Sequence, residues 1–510
     1  MVTIGLLPLD ERPCNFRFPM EICQDSSDVN LLLPPKEVLG RKKTPADHAG
    51  VIDWLRSYAR QCDALVISLD MLVYGGIVPS RLHQLTVENC LQRLTLIDEL
   101  RKIKPSLKLY GFSLIMRAPA YDSSEEEPDY YASFGKALYY FGQSVDMESI
   151  SDSSSSKLFK SKQTPSVKSI PPEVIADFRR RRNTNNQVNL AAIDLVRKGM
   201  LDFLVIPLDD CSRYGWAPRE QRLIRKRIIE YHLGTRIHVY SGADDVGTVL
   251  VARAANELMC KTPRVFTRTS ATGGGLIIPK FEDRMFGESV KWQIVTAGGL
   301  PWSDLKDVDF VLLTNAPTAS GNDMAEAPLS NNNRHPSYNT DRCLPEFVLA
   351  IKTFAEYKPI ALADVAMTNG ADDELMNLLA CENLLGLLSA YGGWNTSANA
   401  MGTCIAQAML NNNNIARPSK FTIKRIIEDW GYMVHLREQV TRLIEKLGGN
   451  AVSLKDNEAQ LATEVREGLN YFMANTMPTF ACDWNIHDVS FPWKRLFEID
   501  FSLSKNCDTY

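Results

Sequence analysis

An α/β fold built on parallel strands is what this sequence predicts, and three observations carry that expectation. Short apolar runs recur along the chain, among them Thr3-Ile4-Gly5-Leu6-Leu7, Leu204-Val205-Ile206, Val311-Leu312-Leu313 and Ile360-Ala361-Leu362-Ala363. Uninterrupted runs of this length read as strands buried on both faces. Between them lie stretches with apolar residues at helical spacing, and alternation of strand and helix builds crossovers that cover sheet faces. Most of the runs end in acids, amides or arginines, which is where open α/β sheets and barrels hold their ligands.

Taken in order, the first run ends in Pro8-Leu9-Asp10-Glu11-Arg12-Pro13-Cys14-Asn15, and Val29 to Leu33 is a second strand. Thr44 to Arg60 opens on a helix-start pattern with Asp47 as a cap. Asp63 to Leu69 is the third strand, and Asp70 to Gly76 is its loop. Val87 to Ile103 reads as one amphipathic helix, followed by a strand from Lys108 to Ile115. The serine-rich stretch at about 148–169 has too little apolar content to order itself and reads as a mobile surface insertion. A long helix from Pro171 to Lys198 is expected to be interrupted or bent around Arg182-Asn183-Thr184-Asn185-Asn186, with Arg179 to Arg182 on a solvated face or, beside the asparagines, at a polar substrate site. Strands Phe203 to Leu208 and Arg236 to Tyr240 then bracket a helix from Pro218 to His232, and Val246 to Leu258 is helical.

A second set of strands begins after Thr262-Pro263: Arg264 to Thr269, Trp292 to Thr296, Phe310 to Thr314, Pro359 to Ala363 and Leu384 to Ala390. The expected organisation is an N-terminal α/β domain at 1–260, barrel-like or doubly wound, and a doubly wound, flavodoxin-like domain at 261–415. A mostly helical segment at 416–510 packs back on the core, with Trp493 to Leu503 closing as a strand.

With 510 residues the chain exceeds one ordinary core. A net charge of −4 from 57 basic and 61 acidic residues gives no bulk reason to bind nucleic acid or an anionic membrane. No apolar stretch has transmembrane length, and the N-terminus lacks the pattern of a secretory signal, so a cytoplasmic protein is expected. Eleven scattered cysteines without a C-x-x-C pair fit a reducing compartment. Oligomeric state leaves no mark in the sequence.

The strand-end carboxylates Asp10, Asp70, Asp210 and Asp244 are the candidate catalytic groups. Carboxyls that converge push their pKa values apart, so that one can act as acid while another acts as base or nucleophile. The candidate substrate-binding set is Glu11, Arg12, Tyr74, Arg117, Arg182, Asn183, Asp209, Tyr214, Trp216, Asn315, Asp364, Asn369, Trp394 and Asn395. Arginine forks clamp anionic or hydroxyl-rich ligands, amides donate and accept, and aromatic faces suit sugar rings. Each has a plainer alternative: an arginine that only neutralises a buried acid, an aromatic that only fills a core. Gly392-Gly393 ahead of a helix start is a candidate anion seat. Seven histidines without metal-ligand spacing argue against a zinc site, and there is no Walker loop, dinucleotide fingerprint or nucleophile elbow. No cofactor is expected, although Mg²⁺ or Mn²⁺ on carboxylate ligands needs no strict spacing.

Pro8-Leu9-Asp10-Glu11-Arg12-Pro13, Ser68-Leu69-Asp70-Met71-Leu72-Val73-Tyr74-Gly75-Gly76, Asp209-Asp210 with Tyr214-Gly215, Gly242-Ala243-Asp244 and Tyr391-Gly392-Gly393-Trp394-Asn395-Thr396 together resemble the family catalogued as DUF4127. The resemblance runs over nearly the whole chain and implies no activity.

From the residues themselves, the leading expectation is a carbohydrate-active hydrolase, a glycosidase with paired carboxylates in an interdomain cleft and a small polar substrate, a sugar. The alternatives are a metal-assisted hydrolase of phosphate or amide bonds and a non-catalytic two-lobed binding protein for a small polar ligand.

Overall fold

A computed structural model describes residues 1–151, 170–327, 334–411 and 418–506. Thirteen strands among these residues form three sheets. The first contains β1 (Val2–Leu7), β2 (Val29–Leu32), β3 (Ala64–Ser68), β4 (Lys108–Phe112), β5 (Phe203–Val205) and β6 (Ile237–His238), in the order β2-β1-β3-β4-β5-β6. The ladders from β1 through β6 are parallel. Every residue of β3 is buried, as the apolar run Ala64-Leu65-Val66-Ile67 requires of a central strand.

The second sheet contains β7 (Arg264–Thr269), β8 (Leu300–Trp302), β9 (Phe310–Asn315), β10 (Ile360–Asp364) and β11 (Leu388–Gly392), ordered β11-β10-β9-β7-β8 and parallel throughout. Read from β8, this is the flavodoxin-like order 2-1-3-4-5, and the first five strands of the other sheet follow the same order. Both are therefore open, doubly wound sheets whose strand order reverses beside their first strand. Beyond them, helices occupy most of 420–483, and β12 (Trp484–Ser490) pairs antiparallel with β13 (Asp500–Lys505).

The contacts divide the chain into two compact units. The first is Met1–Glu11, Asn30–Ala254 and Phe281–Arg284; the second is Arg12–Val29, Ala255–Lys280 and Met285–Tyr510. The helix Arg17–Gln24 thus belongs with the second unit, where Arg17 and Lys424 both bind Glu21 at 2.8 Å.

Several elements differ from expectation, each for a local reason. Trp292 to Thr296 is the end of a helix, Phe286–Thr296, because Phe286, Val290 and Ile294 repeat every four residues and bury one face. The strand begins later, at Leu300. Asp70 to Tyr74 is not a loop: Ser68 Oγ accepts the Met71 N–H at 3.1 Å and starts the helix Leu69–Tyr74. Val87 to Ile103 breaks at Thr95 into two helices. Pro172–Arg197 runs unbroken through its asparagines, and Arg181 and Arg182 are buried, not solvated. Helix Tyr131–Ser151 takes in the start of the serine-rich stretch, whose remainder, 152–169, lies outside the described residues.

Candidate functional site

The register of the first sheet brings its polar loops to one edge. Leu7 pairs with Ile67, so Asp10 and Asp70 each stand three residues past that rung, just beyond the ends of the two strands that flank the order reversal. Beyond the regular ladder, Ile115, Leu208 and Ser241 align through isolated parallel bridges, which carries Arg117, Asp209, Asp210 and Asp244 out of the same carboxyl edge.

At this edge two arginines collect four carboxyls, and a fifth, Asp70, feels the charge of the group. Arg81, on the helix Ile77–Leu82, donates to Asp209 at 2.6 Å, Glu126 at 3.1 Å and Glu127 at 3.5 Å. Arg117 donates to Glu127 at 2.8 Å, Glu126 at 3.0 Å, Asp210 at 3.1 Å and the Tyr121 hydroxyl at 2.8 Å. Asp70 completes the group from below, its Oδ2 accepting the Leu114 N–H at 2.9 Å. The cluster has a floor and a rim. The Arg81 and Glu127 side chains are 2% and 3% exposed, whereas those of Asp210 and Glu126 are 27% and 17% exposed.

Electrostatics follows from that packing. Five carboxyls against two guanidiniums leave an excess of negative charge, so charging the last of them is costly. Burial, with repulsion from Asp209, pushes Asp70 up to about 7. The same two causes push Asp210 up to about 6, although Arg117 opposes them.

Other side chains hold these groups in place. Arg182 donates to the carbonyls of Met116 at 2.6 Å and Arg117 at 3.0 Å while bonded to both oxygens of Glu220, so it positions the Arg117 backbone and does not reach a ligand. Asn185 accepts from His83 Nε2 at 2.8 Å and donates to the Ser80 carbonyl at 3.0 Å. The Leu85 N–H donates to His83 Nδ1, which assigns His83 as the neutral Nε2–H tautomer. Burial agrees, lowering the imidazole to about 4.

The structure distributes the remaining expected site residues widely. Asp10 and Asp244 are buried at the same sheet edge, and Glu11 accepts the Lys42 N–H at 3.1 Å. Tyr74 is buried with its ring stacked on His83, centroids 4.5 Å apart. Asn183 faces solvent; the inward asparagines of its helix are Asn185 and Asn189. Trp216 is a core aromatic packed on Phe141 and Phe178, its Nε1 donating to the Leu138 carbonyl at 3.0 Å. Tyr214 is half-buried on the loop before it.

Arg12, Asn315, Asp364, Asn369, Trp394 and Asn395 belong to the second unit. Arg12 lies over the Trp493 ring, 4.5 Å from its centroid. Trp394 Nε1 donates to the Phe497 carbonyl at 3.2 Å. Asn369 donates to Glu326 at 2.7 Å, and both Asn369 and Asn395 have left-handed backbones, with φ of 61° and 76°.

The carboxyl edge of the second sheet is filled by the protein itself. Asn315 Nδ2 donates to Asp364 at 2.9 Å and to Asp372 at 3.0 Å, and its Oδ1 accepts from Ser270 at 2.8 Å. Arg342 also pairs with Asp372. At Gly392-Gly393 the protein supplies its own carboxyl: Asp429 accepts the Gly393 N–H at 2.8 Å, and burial pushes it up to about 7.

Sequence reasoning missed Glu126 and Glu127, because Glu125-Glu126-Glu127-Pro128 reads as a solvated acidic turn. Asp372, Arg342 and Asp429 were missed for a related reason: the partners that bury them lie far off in sequence. Among the described residues no three His, Cys, Asp or Glu side chains are grouped to hold a metal ion, and no helix is long and apolar enough to cross a membrane.

A family model described as "Protein of unknown function (DUF4127)" matches residues 4–502, nearly the whole chain. The chain belongs to the DUF4127 family. No curated protein and no solved structure matches it. For this DUF4127 protein the site must therefore be read from its own chemistry.

Proposed function

We propose that this DUF4127 protein is a carbohydrate-active hydrolase whose acid and base stand at the carboxyl edge of the first sheet. One observation carries the reading. A single guanidinium, Arg117, holds two partly open carboxyls, Asp210 and Glu126, over a closed ionic floor. Fixing two carboxyls on one rigid planar fork sets their separation, and glycosidic hydrolysis needs a carboxyl pair at a defined spacing.

Asp210 and Glu126 are the acting pair, one protonating the leaving oxygen and the other serving as nucleophile or base. The elevated Asp210 suits the acid, since a carboxyl that keeps its proton near neutrality can donate it. Net negative charge favours the positive charge that develops on an oxocarbenium-like transition state. Tyr121, on the rim beside Arg117, offers a ring face to a sugar. Asp70 belongs to the floor as a supporting carboxyl.

The test is single substitution, Asp210→Asn and Glu126→Gln, assayed on a panel of aryl glycosides. Each variant is expected to lose turnover by about 10²-fold or more, the usual scale of a general acid or base. Wild-type turnover that survives both substitutions refutes the reading.

A further inference from the structure

Beyond the filled floor of the second sheet, loops of the second unit close a ring of contacts. Glu326 forms a parallel bridge with Thr368, and its carboxylate accepts from Asn369 at 2.7 Å on one oxygen and from Lys280 at 2.9 Å on the other. The Asn369 N–H donates to the Asn395 carbonyl at 2.9 Å. Trp394, the neighbour of Asn395, donates its indole N–H to the Phe497 carbonyl at 3.2 Å and packs its ring on that of Phe497, centroids 5.4 Å apart. Arg437 lies over the same Phe497 ring, 5.6 Å from its centroid, and acts on the charge of Glu326, where the ring of contacts began.

Glu326, Asn395, Arg437 and Phe497 are each half-buried, so the ring opens to solvent. The two guanidiniums on Phe497 differ. Arg495, 4.9 Å from the ring centroid, is bonded to both oxygens of Glu498 at 3.0 Å. Arg437 has neither a side-chain hydrogen bond nor an ion pair among the described residues. A guanidinium set over an aromatic face spends no N–H on that contact, so all its donors remain for an acceptor. Glu326 does not need them. Burial pushes its carboxyl up, but Lys280, the Asn369 amide and lastly the charge of Arg437 hold it below the usual carboxylate range. It is therefore a carboxylate already answered by Lys280.

We propose that this ring binds a small hydroxylated monocarboxylate, a sugar acid, whose carboxylate pairs with Arg437 and whose hydroxyl donates to Glu326. The planar guanidinium matches a carboxylate through two parallel N–H···O bonds. An ionised Glu326 accepts only, and after its bonds to Asn369 and Lys280 each oxygen keeps a further lone pair for a hydroxyl. The same two charges exclude other classes. A neutral sugar leaves Arg437 without a counter-charge, a dicarboxylate brings a second negative charge against Glu326, and an amino acid brings its ammonium against Lys280. This assignment does not rest on the hydrolase reading, whose carboxyl-rich edge belongs to the first unit and repels an anion.

Isothermal titration of the whole protein with D-glucuronate, glucose and glycine is the test. Glucuronate and glucose differ in the carboxylate alone, so that comparison needs no variant. Saturable binding of glucuronate is expected, with glucose and glycine at least about 10-fold weaker, the scale of one charge-assisted hydrogen-bonded pair. Arg437→Gln is expected to raise the glucuronate Kd by about 10-fold or more, and Arg437→Lys to fall between. Because Arg437 ties down no other side chain, both variants are expected to keep the wild-type thermal midpoint within about 2 °C. The proposal is overturned if wild-type protein shows no saturable glucuronate binding, if glucose or glycine binds as tightly, or if Arg437→Gln binds glucuronate as well as wild type does. The titrations read binding and not turnover, so this inference and the hydrolase reading can fail separately.

Discussion

Replacing Arg81 by methionine tests the ionic floor most directly. Methionine replaces the apolar stem of the arginine, so packing along that stem is largely kept while a guanidinium bound to Asp209 at 2.6 Å and to Glu126 and Glu127 is lost. What remains is an excess of carboxylates, and Glu127 is nearly inaccessible to water. Removing one partner of a buried ion pair costs about 3 to 5 kcal/mol. For a body of this size each kcal/mol moves the midpoint by about 2 to 4 °C, so Arg81→Met lowers it by about 6 to 20 °C at pH 8. The freed carboxylates then bind protons more readily folded than unfolded, and such groups stabilise most at low pH and lose that contribution as pH rises. The deficit is therefore smaller at pH 5 than at pH 8. Differential scanning calorimetry of Arg81→Met and Arg81→Lys at both pH values is the assay, with the lysine variant falling between. A drop under about 2 °C, or one of equal size at both pH values, refutes the ionic floor.

Two further predictions concern stability. Asp364 is pushed up to about 7 by burial and by Asp372, so its folded pKa lies above its unfolded one. Its contribution is complete below about pH 4 and is lost as pH climbs through 7, so Asp364→Asn flattens the fall of urea midpoints between about pH 5 and 8; an unchanged slope contradicts the assignment. Gly75 ends the helix Leu69–Tyr74 at φ 90°, where an added Cβ would stand 2.6 Å from the Ala46 nitrogen. Gly75→Ala is expected to cost more than about 1 kcal/mol in urea unfolding, and a neutral outcome removes the claim of close approach.

Much of the fold was legible in the sequence because burial on both faces leaves a plain signature. Val66-Ile67 and Leu312-Leu313 can hardly be anything but central strands, and the polar residues that follow mark the sheet edges correctly. Where one short apolar run fits either period, as at Trp292 to Thr296, only the neighbouring turns decide, and there the expectation failed. The candidate site was half legible: Asp70, Arg117, Asp209 and Asp210 carry the strand-end pattern, whereas Glu126 and Glu127 hide in an acidic turn.

By itself, the sequence determined that acids and arginines follow buried strands, since each strand end is a local event written in consecutive residues. Only the tertiary structure decided their partners. Arg81 meets Asp209 across 128 positions of chain, and Asp429 reaches the Gly393 amide across 36. Charge pairing depends on distance in space, which no local pattern encodes. That is why one sheet edge keeps two partly open carboxyls while the other closes on its own side chains.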